Sequence, residues 1–265
     1  MDWTMILIAL GVLAAIGAIF GLILEFASKK FAVEVDERVG KVRACLAGAN
    51  CGACGYAGCD AFAEAVVEGK AKVNGCIPGG DNVAKGIAAV LGVDAGESME
   101  RKVAKVRCQG SSGVAKDRYE YQGIKSCRAA TYHAGGPKLC RYSCVGLGDC
   151  VDRCVFNAIR IKNGVAVVDS KLCTGCGACV ACCPRSVIEL ASESDRIDVL
   201  CRNSDVGRAA VDVCLKSCIA CKRCEKACQY DAIHVKDGIA VIDHDNCTRC
   251  GDCAGVCPRH CIVID

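Results

Sequence analysis

A run of closely spaced cysteines late in the chain restricts its possible folds more than any other feature. The pattern C-x2-C-x2-C-x3-C occurs twice there, and Pro258 follows the second copy. Its eight cysteines are Cys218, Cys221, Cys224, Cys228, Cys247, Cys250, Cys253 and Cys257. Three thiolates at such short intervals bind three irons of a cubane cluster, and the fourth cysteine of each run reaches a second cluster. The pattern therefore predicts two [4Fe–4S] clusters.

The crossed use of the fourth cysteines defines the expected ligand sets. In bacterial two-cluster ferredoxins, the fourth cysteine of one run completes the cluster of the other run. Between the runs, Asp237-Gly238 is flanked by apolar residues, which predicts a β-hairpin. These features indicate the α+β fold of a two-cluster ferredoxin. The expected sets are Cys218, Cys221, Cys224 and Cys257 for one cluster, and Cys247, Cys250, Cys253 and Cys228 for the other.

The same stretch occurs once more, earlier in the chain. CVFNAIRIKNGVAVVDSKLCTGCGACVACCPR begins at Cys154 and aligns, at an offset of 74 residues, with CQYDAIHVKDGIAVIDHDNCTRCGDCAGVCPR, which begins at Cys228. An internal repeat of this quality indicates two structural units in tandem. We expect two-cluster ferredoxin-like domains over residues 138–191 and 214–265, joined by a linker over 192–213.

The first copy lacks one ligand. Leu147 stands where the alignment requires the counterpart of Cys221. Cys140 lies one helical turn before Cys144, and we predict that it takes the missing position. The alternative is that this half of the unit binds no cluster. The expected sets are Cys140, Cys144, Cys150 and Cys183 for the irregular cluster, and Cys173, Cys176, Cys179 and Cys154 for the regular one.

A different four-cysteine pattern precedes the repeats. The glycine-rich sequence ANCGACGYAGC holds three cysteines, and a fourth follows after a sixteen-residue gap. Glycine permits tight turns, so that backbone N–H groups can point at cluster sulfurs. Residues 60–68 have helical composition and would carry the chain across the cluster. We expect a small α-helical [4Fe–4S] domain over residues 45–98, a connecting segment over 99–137, and the ligands Cys51, Cys54, Cys59 and Cys76.

Seven of the 27 cysteines lie outside these five predicted clusters. Cys182 and Cys261 align with Val256 and Val187, which indicates small core residues, and Cys45 is expected to be the same. The other four flank the predicted ferredoxin domains, in segments without a large apolar core. Our hypothesis is that they bind a sixth cluster, and scattered buried thiols are the alternative. These four are Cys108, Cys127, Cys201 and Cys214.

Disulfide scaffolds and zinc sites also use many cysteines. Disulfide scaffolds are short secreted chains with no reason to keep this spacing. Zinc sites usually take pairs of cysteines, often with histidine, and the chain has only four histidines. The net charge of +3 gives no indication of nucleic-acid binding. No phosphate loop, dinucleotide motif or catalytic residue set occurs, so we expect no flavin or NAD on this chain and no substrate chemistry of its own.

An uncharged segment near the amino terminus predicts a membrane anchor over residues 1–28, followed by a juxtamembrane linker over 29–44. Residues 4–24 contain no charge, and a helix of that length extends roughly 30 Å, the thickness of a bilayer core. Asp2 precedes the run and Lys29-Lys30 follow it, which is opposite to the charge pattern of a signal peptide. The positive-inside rule then places the N-terminus outside and the cluster domains in the cytoplasm. Gly17-x-x-x-Gly21 would let a partner helix approach closely.

The order of these parts resembles the B subunits of Rnf complexes over essentially the whole chain. A single membrane helix, the Cys51–Cys76 module and two ferredoxin-like domains carry the resemblance. Rnf complexes are membrane-bound, ion-translocating ferredoxin:NAD oxidoreductases. The resemblance implies a subunit in the inner (cytoplasmic) membrane that relays single electrons from reduced soluble ferredoxin to the other membrane subunits, which translocate Na⁺ or H⁺.

Two other functions are compatible with the same motifs. The electron-transfer subunit of another anaerobic membrane enzyme, of the hydrogenase or formate dehydrogenase type, would also carry tandem cluster motifs. A zinc-binding scaffold is the remoter alternative. Identification of the attached subunits separates an Rnf subunit from a subunit of a hydrogenase or formate dehydrogenase. Metal analysis excludes or establishes the zinc scaffold.

Overall fold

The computed structural model describes residues 3–30 and 36–264. Helix α1 spans Trp3–Lys30 and contains the predicted membrane anchor. Its most apolar 18-residue stretch has a mean hydropathy of 2.8, and none of that stretch is buried against the rest of the protein. A helix that is apolar all round and has no protein contacts is suited to a bilayer. Among the described residues it is the one helix long and apolar enough to cross a membrane.

A small helical module follows, as predicted, but it begins earlier than residue 45. It consists of α2 (Glu37–Cys45), α3 (Cys59–Val67), a 3₁₀ turn (Ile77–Gly79) and α4 (Gly80–Leu91). Val42 on α2, Phe62 on α3 and Ile87 on α4 form its core, each at most 2% exposed. Because α2 contributes to this core, most of the predicted linker over 29–44 that the structure describes belongs to the helical module.

Strand β1 (Lys102–Val106) and helix α5 (Cys127–Tyr132) occupy the predicted connecting segment. The first repeat unit then runs from α6 to β4. Its elements are α6 (Asp149–Asp152), β2 (Ile159–Lys162), β3 (Val165–Val168), α7 (Ala178–Cys182) and β4 (Ile188–Ser192).

Strand β5 (Ile197–Val199) and helix α8 (Gly207–Val213) occupy the predicted linker between the units. The second repeat unit runs from α9 to β8 and copies the first. Its elements are α9 (Arg223–Ala227), β6 (Ile233–Lys236), β7 (Ile239–Ile242), α10 (Asp252–Gly255) and β8 (Ile262–Ile264).

Both predicted hairpins are confirmed. β2 pairs with β3 and β6 pairs with β7, each antiparallel across a two-residue turn. Asn163-Gly164 and Asp237-Gly238 all have positive φ, between 48° and 83°, as a type I′ turn requires.

Each unit is completed by a strand from the segment that precedes it. β1 pairs antiparallel with β4, and β5 pairs antiparallel with β8. The pairings match, because Val106 lies opposite Ile188 and Val199 lies opposite the equivalent Ile262. The segments predicted as connectors therefore contribute to the cores of the units. This addition brings the four cysteines outside the regular motifs close to the two units.

Candidate metal centres

All 27 cysteines are free thiols, so disulfides do not stabilise this fold. Most of them cluster in the interiors of the helical module and the two repeat units, where large side chains would usually lie. Among the described residues, no three His, Cys, Asp or Glu side chains meet closely enough to hold a single metal ion. A [4Fe–4S] cubane takes one thiolate per iron, so its four ligands need not converge on one point.

The second repeat unit holds two small cavities of about 20 Å³ each. Both are walled by side chains of the hairpin β6–β7, including Val235 and Ile242. The first is bounded by Cys218, Cys221, Cys224 and Cys257. The second is bounded by Cys228, Cys247, Cys250 and Cys253. The two groups of cysteines are those that the crossed motif predicts.

The first repeat unit contains a third cavity of the same size, about 20 Å³. Ile159 and Leu190 supply apolar wall atoms, and its thiols are Cys154, Cys173, Cys176 and Cys179. Backbone N–H groups donate to the sulfurs: Ala158 to Cys154 at 3.3 Å and Ala104 of β1 to Cys173 at 3.3 Å. Ala232 donates to Cys228 in the second unit at 3.4 Å. Such donors stabilise thiolates that bind iron, so the four thiols around each of the three cavities suit a [4Fe–4S] cluster.

Burial keeps several of these thiols protonated when no metal is bound. It raises the pKa of Cys179 to about 12 and that of Cys224 to about 11, because a charged thiolate is poorly solvated there. Cys257 differs: a hydrogen bond from the Cys261 thiol, 3.5 Å away, lowers the pKa of Cys257 to about 5. Cys261 is 2% exposed and packs in the core, as predicted for a small core residue, but it also contacts this ligand set.

The helical module brings its four predicted cysteines into one region. Burial raises the pKa of Cys76, and the nearby Cys59 and Cys51 thiolates raise it further. The side chain of Asn50 accepts a hydrogen bond from the backbone of Cys59 at 2.8 Å, which fixes the start of α3. Cys54 packs against the same core.

At the irregular site, Cys127 lies beside Cys150, a position that the repeat alignment did not predict. Burial raises the pKa of Cys150 to about 12, and the thiolates that raise it further are Cys144, Cys127, Cys182 and Cys183. Asp149 accepts hydrogen bonds from the backbone N–H of Cys127 at 2.8 Å and of Arg128 at 3.1 Å. The Asp149 carboxylate therefore holds the first turn of α5, and with it Cys127, beside Cys150.

Leu147 packs against this first turn of α5, which carries Cys127. Cys127 and Ala130 of α5 form a small core with Val145, and Leu147 contacts it. The repeat alignment could not reveal Cys127, because the counterpart of Asp149 in the second unit is Arg223 and no helix equivalent to α5 docks there among the described residues. The feature of the sequence that could have indicated Cys127 is Asp149, the carboxylate directly before Cys150.

Cys140 lies close to two cysteines of the hypothetical sixth site, Cys108 and Cys214. Burial raises the pKa of Cys140 to about 11, and the Cys108 and Cys214 thiolates raise it further. The structure therefore brings Cys140 towards Cys108 and Cys214, and it places Cys127 beside Cys150. The two remaining thiols bond to backbone carbonyls: Cys182 to Cys179 at 3.4 Å, and Cys45 to Lys41 at 3.4 Å.

Comparison with known proteins identifies iron–sulfur domains in two parts of the chain. A family model for an Fe–S cluster matches residues 46–78, and one for a 4Fe-4S dicluster domain matches residues 217–261. The B subunit of the Na(+)-translocating ferredoxin:NAD(+) oxidoreductase complex of Acetobacterium woodii is 45% identical over 98% of this chain and 78% of its own length.

Two further relatives extend the match. The B subunit of the ion-translocating oxidoreductase complex of Methanosarcina acetivorans is 43% identical over 97% of both chains. The B subunit of the proton-translocating ferredoxin:NAD(+) oxidoreductase complex of Clostridium ljungdahlii is 40% identical over 97% of this chain and 92% of its own length.

Proposed function

Because the chain belongs to the family of B subunits of ion-translocating oxidoreductase complexes, we propose that it is the iron–sulfur electron-transfer subunit of a ferredoxin:NAD oxidoreductase. The observation that carries this proposal is the coincidence of a full-length match with three equal, cysteine-bounded cavities. An electron carrier needs enclosed clusters and no substrate pocket, and these cavities have apolar walls and thiols at their boundaries.

Five [4Fe–4S] sites follow from the positions of the thiols. Two lie in the second repeat unit, two in the first and one in the helical module, so that both repeat units are ferredoxin-like. The proposed ligand sets are Cys51, Cys54, Cys59 and Cys76; Cys127, Cys144, Cys150 and Cys183; Cys154, Cys173, Cys176 and Cys179; Cys218, Cys221, Cys224 and Cys257; and Cys228, Cys247, Cys250 and Cys253.

The bound clusters would supply one-electron transfer, and the chain sets the conditions for it. Backbone N–H donors to the sulfurs stabilise the reduced form, which raises the reduction potential. Apolar walls such as Ile159 and Ile233 exclude water and act in the opposite direction. The hairpins keep these walls rigid, because both of their turn residues satisfy the required backbone geometry.

Exposure of ligands indicates where the donor docks. Cys221 and Cys250 are the exposed cysteines of the chain, and both lie in the second unit. Exposed basic residues adjoin them: Lys222 and Arg223 follow Cys221, and Arg249 precedes Cys250. A basic rim around exposed ligands suits an acidic redox partner, because opposite charges steer encounter. Reduced soluble ferredoxin is therefore proposed to deliver electrons to the second repeat unit.

Helix α1 would anchor the chain in the inner membrane, with its N-terminus outside and the cluster domains in the cytoplasm. The basic pair Lys29-Lys30 at its end supports this orientation. The helical module starts at Glu37, so its cluster lies close to the bilayer in sequence and would pass electrons to the membrane subunits. The proposed route thus runs from the second unit through the first unit to the helical module.

Anaerobic purification from membranes tests this function. We expect a brown chain that contains iron and sulfide in equal amounts, and that co-purifies with the membrane subunits of a ferredoxin:NAD oxidoreductase. Co-purification with hydrogenase or formate dehydrogenase subunits would assign the chain to a different enzyme. Zinc in place of iron would refute electron transfer altogether.

A further inference from the structure

Two pairs of equivalent cysteines lie where the repeat units meet. Cys140 and Cys214 correspond at the 74-residue offset. Cys108 and Cys201 correspond through their strands, since each lies two residues beyond the end of the strand that completes its unit. The backbone agrees, because Arg107 donates to the carbonyl of Val187 and Leu200 donates to the equivalent carbonyl of Cys261, both at 2.7 Å. The four cysteines therefore form two symmetric pairs.

Hydrogen bonds to the sulfurs repeat this symmetry. Cys108 Sγ accepts from the backbone N–H of Gly110 and of Cys144, both at 3.3 Å. Cys201 Sγ accepts from Asn203 at 3.4 Å and from Cys218 at 3.3 Å. Two N–H donors per sulfur are more than a buried core thiol requires. The same kind of donor serves Cys154, Cys173 and Cys228 in the regular sites, so this pattern is typical of cluster ligands.

Cys140 and Cys214 are held in matching loops. Each is at most 7% exposed. Ser143 Oγ donates to the carbonyl of Cys140 at 2.8 Å, and the equivalent Ser217 Oγ donates to the carbonyl of Cys214 at 3.0 Å. Both serines are buried and serve the same purpose in the two units. The loops are therefore built to present their cysteines in fixed positions.

Segments from before the two units pair directly around Cys214. Lys116 N–H donates to the carbonyl of Val213 at 3.0 Å, and Leu215 N–H donates to the carbonyl of Val114 at 2.9 Å. Ala115 and Cys214 form an antiparallel bridge between these bonds. Cys108 is close enough to Cys140, Cys201 and Cys214 to interact electrostatically with each of them, so it connects the two pairs.

Buried donors without partners point to a missing anion. Arg185 Nε, Arg259 Nε and Asn203 Nδ2 are buried and have no acceptor among the described residues. Arg185 acts electrostatically on Cys140 and Arg259 on Cys214, and Asn203, 1% exposed, lies two residues beyond Cys201. Buried donors normally find an acceptor, so sulfur atoms of a bound cluster would complete the bonding that the protein leaves open. Two arginines would also offset the negative charge of a cluster with four thiolates.

We propose that Cys108, Cys140, Cys201 and Cys214 bind a sixth [4Fe–4S] cluster, shared between the two repeat units. Both units contribute equally, since Cys140 and Cys108 belong with the first and Cys214 and Cys201 with the second. This set retains three cysteines of the hypothesis from the sequence and replaces Cys127 with Cys140. The inference rests on the proposed function, because it assumes that the regular sites hold iron–sulfur clusters.

The position of this site gives it a role in the relay. The N–H of Cys144, a ligand of the irregular cluster, bonds to Cys108, and the N–H of Cys218, a ligand in the second unit, bonds to Cys201. Cys108 and Cys201 therefore connect this site to ligands of both units. A cluster held there would accept one electron from the second unit and pass it to the first, with no net consumption of a reactant.

Counting iron in the purified full-length protein tests the proposal. Each [4Fe–4S] cluster contributes four irons, so six clusters predict about 24 irons per chain and five predict about 20. Cys201→Ala is expected to lose about four irons and to keep the EPR signals of the other clusters. Cys45→Ala, which changes a thiol outside all proposed ligand sets, is the control and is expected to lose none.

Pairs of substitutions reveal which cysteines share a cluster. Cys108→Ala combined with Cys201→Ala is expected to lose about four irons, as each single variant does, because both would ligate one cluster. Cys127→Ala combined with Cys140→Ala is expected to lose about eight, because these two would belong to different clusters. A loss of only four in this second pair would overturn the assignment.

Wild-type protein decides the question even if variants fail to fold. A count near 20 irons in wild-type protein, with sulfide in the same amount, would overturn the shared cluster and leave the proposed function standing. Zinc in place of iron would instead refute the proposed function itself. The two failures are therefore distinguishable in one metal analysis.

Discussion

Lys105 and Asp198 form an ion pair that joins the strands completing the two repeat units. Lys105 lies on β1 and Asp198 on β5, and Lys105 also donates to the carbonyl of Asp195. The two side chains are only 11% and 14% exposed, so water screens their attraction weakly. We predict that Lys105→Met loosens the contact between the units, because it removes the lysine charge opposite a largely buried carboxylate.

The size of the effect follows from this burial. Breaking a fully buried ion pair on one side costs about 3–5 kcal/mol, while an exposed pair contributes about 0–1 kcal/mol. With the small remaining exposure, about 2–3 kcal/mol is expected. If the pair breaks before the clusters are lost, each 1.36 kcal/mol gives a factor of ten, so cluster loss accelerates roughly 30- to 150-fold.

The assay is the rate at which the cluster absorbance bleaches anaerobically in guanidinium chloride. Lys102→Met is the matched control, since Lys102 lies on the same strand and is exposed. It is expected to change the rate less than threefold. If Lys105→Met bleaches no faster than Lys102→Met, the pair does not hold the units together. A double variant with Asp198→Leu should recover part of the loss, because the carboxylate that the lysine faced is then removed as well.

Three further predictions test other parts of the structure. Gly238→Ala is expected to destabilise the second unit by at least about 1–2 kcal/mol, because φ is +83° and the new Cβ would meet the carbonyl of Ser204. Gly255→Ala is the control, since the space around Gly255 is open, and it should be neutral in the same denaturation assay. Cys261→Val should fold, since valine occupies the equivalent position 187, and it removes the hydrogen bond between Cys261 and Cys257. A lower reduction potential is therefore expected for the cluster of Cys257 in an EPR redox titration. An unchanged potential would show that the Cys261 thiol does not tune this cluster. Burial raises the pKa of Cys179 and Cys150 to about 12, so cluster binding must displace protons from these thiols. Reconstitution of metal-free protein with iron and sulfide should therefore be more complete at pH 8.5 than at pH 6.5. Equal iron uptake at both pH values would contradict this.

The sequence predicted the parts of the fold that both repeats share. The hairpins could be predicted because Asn-Gly and Asp-Gly turns are local signals. The strands β1 and β5 could not be predicted in this way, because their partners are distant: Lys102 pairs with Ser192. A weak signal existed, since each strand ends at the valine of a V-x-C sequence, which begins at Val106 in β1 and at Val199 in β5.

Cys127 and Cys140 show the limit of comparing the repeats. Alignment revealed that Leu147 breaks the first unit, and proximity along the chain then favoured Cys140. We propose Cys127 for this cluster, because a carboxylate next to Cys150 binds the start of a helix from another segment. Cys140 occupies the position equivalent to Cys214, and a buried serine donates to the carbonyl of each of these cysteines. Three-dimensional contacts outweighed distance along the chain.

The central claim is that electrons enter at the second repeat unit and leave through the helical module. Freeze-quench EPR after mixing reduced ferredoxin with the purified complex tests it most directly, with Cys76→Ala and Cys253→Ala used to assign the signals. The account predicts that the cluster signals of the second unit appear first and that the Cys51–Cys76 signal appears later. Reduction of the Cys51–Cys76 cluster before the others would contradict it.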